Sequence, residues 1–360
     1  MFNFKKVVFF IISLMFFSEN IKACEDEAVK KSSIYPSIRQ DLETVRILSV
    51  DGGAARGMVP TVMLAEMEEA LGKPISETFD LVGGTSVGCV LTSGLTLPED
   101  PDKPVELWKP KYRASEFTEI FYSEADNLLR KRSIPFGSIY DVKSLENFVE
   151  RRYGNSVFHQ SIIPTVGVAV EVSGLKPVTF CSWGDDVYLS KDVVLASAAA
   201  PVIFYPRTIS PINFNTPKAK KNLVIDGGIG ANNPAPLLVR EAKKIYPNAK
   251  RFDVVSLGVG IVRTPFYQDL FNFSLTPGNV ISRVVDFGIN LMAMVSDECM
   301  EDLIIGHYTR LNPVIPSANA SITNSSKANL QALEKSTREY LDENKGPFDE
   351  MIERLKESRD

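Results

Sequence analysis

The sequence predicts an α/β fold: a single domain with a mainly parallel central sheet and helices on both faces. Three observations point there. Short β-rich runs alternate with segments of helical period along most of the chain. Two of those runs lead through glycine-rich turns straight into a helix, at Asp51 to Gly57 and at Gly84 to Gly88. The 360 residues are 44% hydrophobic and 24% charged, which is ordinary globular composition and ample for one large domain. Parallel strands need crossover connections, so alternation of this kind is met most simply by a parallel sheet covered on both sides.

Residues 1–23 stand outside that fold. Lys5 and Lys6 precede Val7 to Phe17, an apolar run broken only by Ser13, and Ile21-Lys22-Ala23 offers a small residue for cleavage before Cys24. The run is about half of the ~20 residues a spanning helix needs. The segment reads as a secretory signal peptide, and the protein as secreted or exported to the cell envelope. An uncleaved anchor is the alternative. Cleavage after Ala23 would also free Cys24 for lipidation, a reading that Lys22 fits poorly. Losing residues 1–23 removes Lys5, Lys6, Lys22 and Glu19 and takes the formal charge from −5 to −7. The basic residues are dispersed, which argues against a nucleic-acid partner.

Residues 24–44 are a polar, flexible lead-in. Val45 to Val50 is β-rich. Met58 to Leu71 has helical spacing, with Met58, Val62, Leu64, Ala65 and Leu71 on one side, Glu66, Glu68 and Glu69 exposed, and Gly72 as its stop. Phe79 to Val82 and Val87 to Leu95 flank the second glycine turn. Residues 98–116, rich in proline and charge, read as a surface connection. Val142 to Arg152 is helical, Ile163 to Val172 and Lys176 to Cys181 are strands joined at Ser173-Gly174, and Asp192 to Ala200 is a small-residue helix stopped by Pro201. Leu223 to Ile225 is a short strand, Ala235 to Ile245 a helix after Pro234, and Phe252 to Leu257 another strand. The domain proper spans 45–312. Residues 313–360 form a linker and C-terminal helices, with one or two amphipathic helices over 326–357.

Cys24, Cys89, Cys181 and Cys299 are too sparse for a disulfide framework and show no C-x-x-C spacing. Cys89 reads as a small apolar residue in its helix. No His, Asp and Glu cluster stands at ligand spacing, so no metal or other cofactor is expected. Asn272, Asn319 and Asn324 begin glycosylation sequons, which matter only in a source that glycosylates.

Three stretches carry chemistry. Gly84-Thr85-Ser86-Val87-Gly88 sits between strand and helix, the context that makes Gly-x-Ser-x-Gly a nucleophile elbow rather than a small-residue turn. Glycine at both ends lets a crowded turn push the Ser86 hydroxyl outward over a helix start. Asp51-Gly52-Gly53-Ala54-Ala55-Arg56-Gly57 follows the first strand and can aim successive N–H groups into one space, an oxyanion hole in a serine hydrolase. One such donor is worth roughly 2.7–4 kcal/mol in the transition state. The rival reading, a dinucleotide fingerprint, is weakened by Ala54 at its middle glycine and by the elbow on the next strand. Asp226-Gly227-Gly228 ends a strand before Asn232-Asn233-Pro234, placing a carboxylate where open α/β sheets bind ligands; a plain Asx-turn is the alternative. Of the two histidines, His307 would complete a Ser86, Asp226, His307 order, yet Ile304 to Leu311 reads as an edge strand. His159 reads as a surface or core-rim residue.

Taken together, the three stretches resemble the patatin-like phospholipases over roughly residues 45–312. The glycine-rich oxyanion motif of that family matches Gly52 to Gly57, its Gly-x-Ser-x-Gly matches Gly84 to Gly88, and its Asp-Gly-Gly/Ala matches Asp226 to Gly228. Ala196 to Pro201 with Phe204-Tyr205-Pro206 also looks like its small-residue helix and following turn. The resemblance implies a three-layer α/β sandwich and a lipid acyl hydrolase with a Ser–Asp dyad. Ser86 is then the nucleophile and Asp226 the general base, in direct hydrogen-bond reach with no histidine between. Gly52, Gly53 and Ala54 form the oxyanion hole, and Arg56, Gly57, Gly84, Gly88, Gly227 and Gly228 support the motifs. Ala54 departs from the family's glycine and would narrow the hole or bias acyl-chain shape. Arg56 either holds a substrate phosphate or pairs with a surface carboxylate. Catalysis is expected to need no calcium. The partners implied are a phospholipid or other lipid ester and a transient membrane interface. A lysophospholipid or neutral-lipid esterase on the same site, or a non-hydrolytic lipid-binding module, are the alternatives. The aromatic stretch Pro265-Phe266-Tyr267 with Leu270, Phe271, Phe273 and Leu275 is expected to be an interfacial loop or lid, against core packing.

Overall fold

Alternation along β1 (Thr44–Val50) sets the layers. Val45 and Ile47 enter one apolar cluster, Leu48 and Val50 another, as a strand's period of two requires. The same split recurs in β2 (Leu81–Thr85), where Leu81 and Val82 part company, and in β7 (Arg251–Leu257), where Phe252 and Val254 face away from Val255 and Leu257. Buried on both faces, these central strands read as nearly unbroken apolar runs. The computed structural model describes residues 38–39, 41–129, 140–201, 203–212, 222–262 and 277–357. The signal-peptide reading, most of the lead-in, the aromatic stretch and Asn272 lie outside them.

Among the described residues, eight strands form one mixed, mostly parallel sheet with helices around it. The remaining strands are β3 (Thr165–Glu171), β4 (Lys176–Cys181), β5 (Arg207–Ile209), β6 (Asn222–Asp226) and β8 (Gly306–Leu311). The order is β5-β6-β3-β2-β1-β7-β8, with β4 also paired to β3. The run from β3 through β2, β1 and β7 to β8 is parallel. Beyond β3 the pairing turns antiparallel, with β4, β6 and β5.

One face of the sheet is covered by α1 (Met58–Leu71) with α3 (Ala114–Leu128), α8 (Lys327–Glu343) and α9 (Lys345–Lys356), and by α2 (Val87–Leu95), α4 (Val142–Tyr153) and α5 (Ser190–Ser197). The other is covered by α6 (Ala235–Ile245) and the end of α7 (Pro277–Leu303), where Met300 is buried. Gly72 closes α1 in the left-handed region at φ 69°, where glycine carries no Cβ penalty. Cys89 packs as an apolar residue of α2. The C-terminal tract is two helices, separated at Asn344.

Two local expectations are corrected. Glu68 is buried, not exposed: its carboxylate accepts from the N–H groups of Ile75 and Ala114, each at 2.9 Å, and pairs with Arg113 at 2.9 Å. It satisfies the free donors of two later helical starts. Residues 114–116, read as part of a surface connection, open the fifteen-residue helix α3, where the Glu116 carboxylate reaches back to the Arg113 N–H at 2.7 Å.

Candidate active site

The elbow is built as its glycines demand. Ser86 stands between β2 and α2 at φ 56°, ψ −121°, a region that L side chains rarely enter and that costs of order 1–3 kcal/mol. A methyl on Gly84 would lie 2.1 Å from the Gly88 carbonyl carbon, and one on Gly88 2.2 Å from the Val50 oxygen. Neither position can hold a side chain, so the turn and the seat of α2 beneath β1 both rest on glycine. The Ser86 side chain is left half-exposed over the start of α2.

Asp226 reaches this point by an unexpected route. The sequence reading placed it at the carboxyl edge of a parallel sheet, but β6 runs antiparallel to β3. Register explains the meeting. Thr85 pairs with Val168 and Asp226 with Ala169, so Asp226 stands one residue beyond Thr85, level with Ser86 across β3. The Ser86 side chain lies close enough to the Asp226 carboxylate to favour its charged form, and the Gly228 N–H donates to that carboxylate at 2.7 Å. Only 4% of Asp226 is exposed. Burial pushes its pKa from 3.8 up to about 6, and Ser86 and the Gly228 N–H beside it offset part of that rise. Gly227 packs so tightly that a methyl there would meet the Val168 oxygen at 2.5 Å.

The segment at the end of α5 holds both partners. Ser197 Oγ donates to the Val168 carbonyl at 2.6 Å and accepts the Ser86 N–H at 2.9 Å, while the Ala199 carbonyl accepts the Asp226 N–H at 3.0 Å. Sequence reasoning missed this role. Its only signal was the small-residue composition of Ala196 to Ala200, which permits such close approach.

In the glycine-rich loop, Gly52 is corrected as a donor: its N–H is taken by the Asn232 carbonyl at 3.3 Å. It contributes by lacking a side chain, since a methyl there would lie 3.1 Å from Ser86 Cβ. Among the described residues the N–H groups of Gly53 and Ala54 have no such backbone partner. Gly57 packs against Val87, where a methyl would meet it at 2.5 Å. Ala54 adopts φ 47°, in the left-handed region. An Ala side chain there costs about 1–2 kcal/mol, partly offset by the greater unfolded-state freedom of glycine. Ala54→Gly is therefore expected to raise the thermal midpoint by roughly 2–4 °C; a lower midpoint in a thermal melt would show that no strain is stored there.

Arg56 is fully buried, and its charge acts on Asp51. Asp51 itself is clamped by Arg310, Nη1 to Oδ1 at 2.8 Å and Nη2 to Oδ2 at 2.6 Å. Arg310 also donates to Ser256 Oγ at 2.8 Å. Burial opposes the charge on Arg310, and Asp51 more than offsets it, so its pKa stands above the ordinary value. This pair bolts β8 to the root of the glycine-rich loop.

Neither histidine is placed to serve Ser86. His307 is exposed near the amino end of the edge strand β8 and pairs with Asp253, four positions before the carboxyl edge where Leu311 pairs with Leu257. At about 3.3 Å per residue that is roughly 13 Å along the strand. His159 is half-buried and bonds the Gly184 carbonyl at 3.1 Å; burial lowers its pKa. Among the described residues no group of three or more His, Cys, Asp and Glu side chains could hold a metal ion. An open groove of about 710 Å³, lined by Tyr122, Lys327, Gln331, Glu334 and Arg338, contains none of the motif residues.

A serine on a strained strand–helix turn, level with a buried carboxylate and beside a glycine-rich loop, defines the class of arrangement on an α/β sheet. The particular family follows from comparison. Residues 48–239 match the family model for patatin-like phospholipases, and the chain belongs to that family. It is 29% identical over 263 residues to patatin-like protein 2 of Arabidopsis thaliana and 27% identical over 246 residues to patatin-T5 of Solanum tuberosum. These alignments cover 64% and 61% of the chain, and 63% and 61% of the respective relatives. The solved structure of VipD from Legionella pneumophila aligns over 84% of the chain and 67% of its own, at 14% identity and a TM-score of 0.36, too low to bear on the fold.

Proposed function

We propose that the protein is a lipid acyl hydrolase that releases fatty acids from phospholipids, with Ser86 as nucleophile and Asp226 as general base. The observation that carries this reading is the register that sets Ser86 level with Asp226 across β3, where burial holds the carboxylate at a pKa of about 6. A carboxylate at its ordinary pKa near 4 is a weak base for a hydroxyl. Burial makes this one stronger while leaving it ionised at neutral pH.

Ser86 Oγ attacks the ester carbonyl as its proton passes to Asp226. The carbonyl electron pair moves onto oxygen, facing the N–H groups of Gly53 and Ala54 and the positive end of α2. Collapse expels the lipid alcohol, which takes the proton back from Asp226 and leaves an acyl-enzyme. Water activated by Asp226 then releases the fatty acid. The family's name supports the substrate class. The apolar N-terminal run supports export, and with it a transient meeting with membrane lipid. Among the described residues no helix is long and apolar enough to cross a membrane.

Fatty-acid release from labelled phosphatidylcholine vesicles tests the assignment. Ser86→Ala and Asp226→Asn are expected to lose at least about 10³-fold in rate, while His307→Ala keeps wild-type activity. Equal release by wild type, Ser86→Ala and Asp226→Asn would refute the dyad. Loss on His307→Ala would restore a triad. A labelled lysophospholipid and a labelled triacylglycerol run in parallel separate the phospholipase from an esterase on the same site.

A further inference from the structure

Two adjacent asparagines after the acid loop meet opposite fates. Asn233 is fully engaged. Its Oδ1 accepts from the Ser49 hydroxyl at 3.3 Å, the Ser256 hydroxyl at 3.2 Å and the Ala235 N–H at 3.1 Å, and its Nδ2 donates to the Tyr308 hydroxyl at 3.1 Å. It ties β1, β7 and β8 to the start of α6. Asn232 is almost as deep, 1% exposed, yet its Oδ1 has no hydrogen-bond partner among the described residues. A buried acceptor left unmade costs the full desolvation of the group, so a donor is expected to meet it.

The surroundings say what kind. A methyl on Gly52 would lie 2.7 Å from Asn232 Oδ1 and 3.1 Å from Ser86 Cβ. A methyl on Gly228 would lie 3.0 Å from Asn232 Oδ1 and 3.1 Å from Asp226 Oδ1. The carboxamide oxygen therefore lies close to the same two glycines as Ser86 Cβ and Asp226 Oδ1, and neither glycine leaves room for a side chain between them. The backbone of Asn232 is fixed there by its bond from the Gly52 N–H.

We propose that Asn232 is a catalytic residue of the second half-reaction, accepting one O–H of the hydrolytic water while Asp226 accepts the other. The inference rests on the Ser86/Asp226 reading. With both hydrogens held, a water lone pair is directed at the acyl carbon of the Ser86 ester. The water oxygen forms a bond to that carbon, its proton goes to Asp226, and the carbonyl pair moves onto oxygen. Collapse breaks the carbon–Oγ bond, Asp226 returns the proton to Ser86 Oγ, and the water's other hydrogen leaves in the carboxylic acid. Attack by Ser86 in the first half-reaction needs no such water, so the two half-reactions depend on Asn232 to different degrees.

Stopped-flow hydrolysis of 4-nitrophenyl octanoate separates them: the burst reports acylation and the steady rate deacylation. Asn232→Ala, and Asn232→Leu of similar shape, are expected to keep the burst rate and the fluorophosphonate labelling of Ser86 within about threefold of wild type. Their steady rate should fall about tenfold or more, with octanoyl-Ser86 accumulating in the intact mass spectrum. Labelling and a thermal melt report whether each variant folds, and Leu preserves packing where Ala does not. Burst and steady rate falling together, or neither changing, would overturn the proposal. Absence of any octanoyl-Ser86 in the wild type and both variants would instead sink the Ser86/Asp226 reading and take this inference with it.

Discussion

Asp226→Asn is expected to abolish ester hydrolysis and, at pH 8, to make the protein more stable by about 3 kcal/mol. The stability effect follows from the raised pKa. In the fold Asp226 titrates at about 6 instead of 3.8, because burial disfavours the charged form. The native state therefore holds this proton more tightly than the unfolded chain does. Below pH ~4 both states are protonated and the group's contribution is fully present. As pH rises from about 4 to 6 the unfolded chain ionises first and that contribution is lost. Asparagine stays neutral throughout, and its carbonyl can still accept the Gly228 N–H. A shift of about two units corresponds to roughly 3 kcal/mol. Urea unfolding at pH 4 and pH 8 checks this: the variant should gain on the wild type at pH 8 only. A variant less stable than wild type at pH 8 would count against a strained, ionised carboxylate. On the proposed mechanism the same proton sets the catalytic profile. The base works only when ionised, so kcat/KM should fall as pH drops through about 6. Stability given up for a reactive group is a common trade at active sites.

Arg310→Ala should destabilise the fold by about 3–5 kcal/mol, because it leaves Asp51 buried without its countercharge. Asp51 accepts two charge-assisted bonds from Arg310 and lies beside the oxyanion loop, so the loss is both energetic and geometric. Replacing both partners, as Asp51→Asn with Arg310→Met, should cost less than Arg310→Ala alone, since position 51 then carries no charge to be left without Arg310. Denaturant titration of the single and double variants decides it. A cost below ~1 kcal/mol for the single change would show that Asp51 finds another partner or water.

The parts of this fold that were legible in the sequence are those set by local chemistry. The period of Met58 to Leu71, its Gly72 stop and the apolar runs of β1, β2 and β7 follow from near neighbours in the chain. The elbow was legible because its glycines serve a turn only five residues long. Helix α3 was missed because Ala114, Phe117 and Ala125 are its only buried residues and its start sits in a proline-rich, charged run. Helix α7 drew no reading at all. The direction of β6 was illegible, since Leu223-Val224-Ile225 looks the same run either way; pairing with β3 decides it. Arg310 and Asn232 carry no local signature. Each acts on a partner far along the chain, Asp51 and Gly52 respectively, and such pairs become visible only once the strands are in register.

The antiparallel arrival of β6 bears on the protein's birth. Ser86 emerges early in synthesis, and its turn can form from adjacent residues. Asp226 follows 140 positions later and reaches Ser86 only when β6 docks on β3. Such distant closure is slow, because the chain must surrender much freedom before any contact rewards it. On the proposed mechanism, a half-folded molecule therefore carries Ser86 without Asp226 and is expected to be inactive. During refolding from urea, fluorophosphonate labelling should lag behind the recovery of sheet signal in circular dichroism.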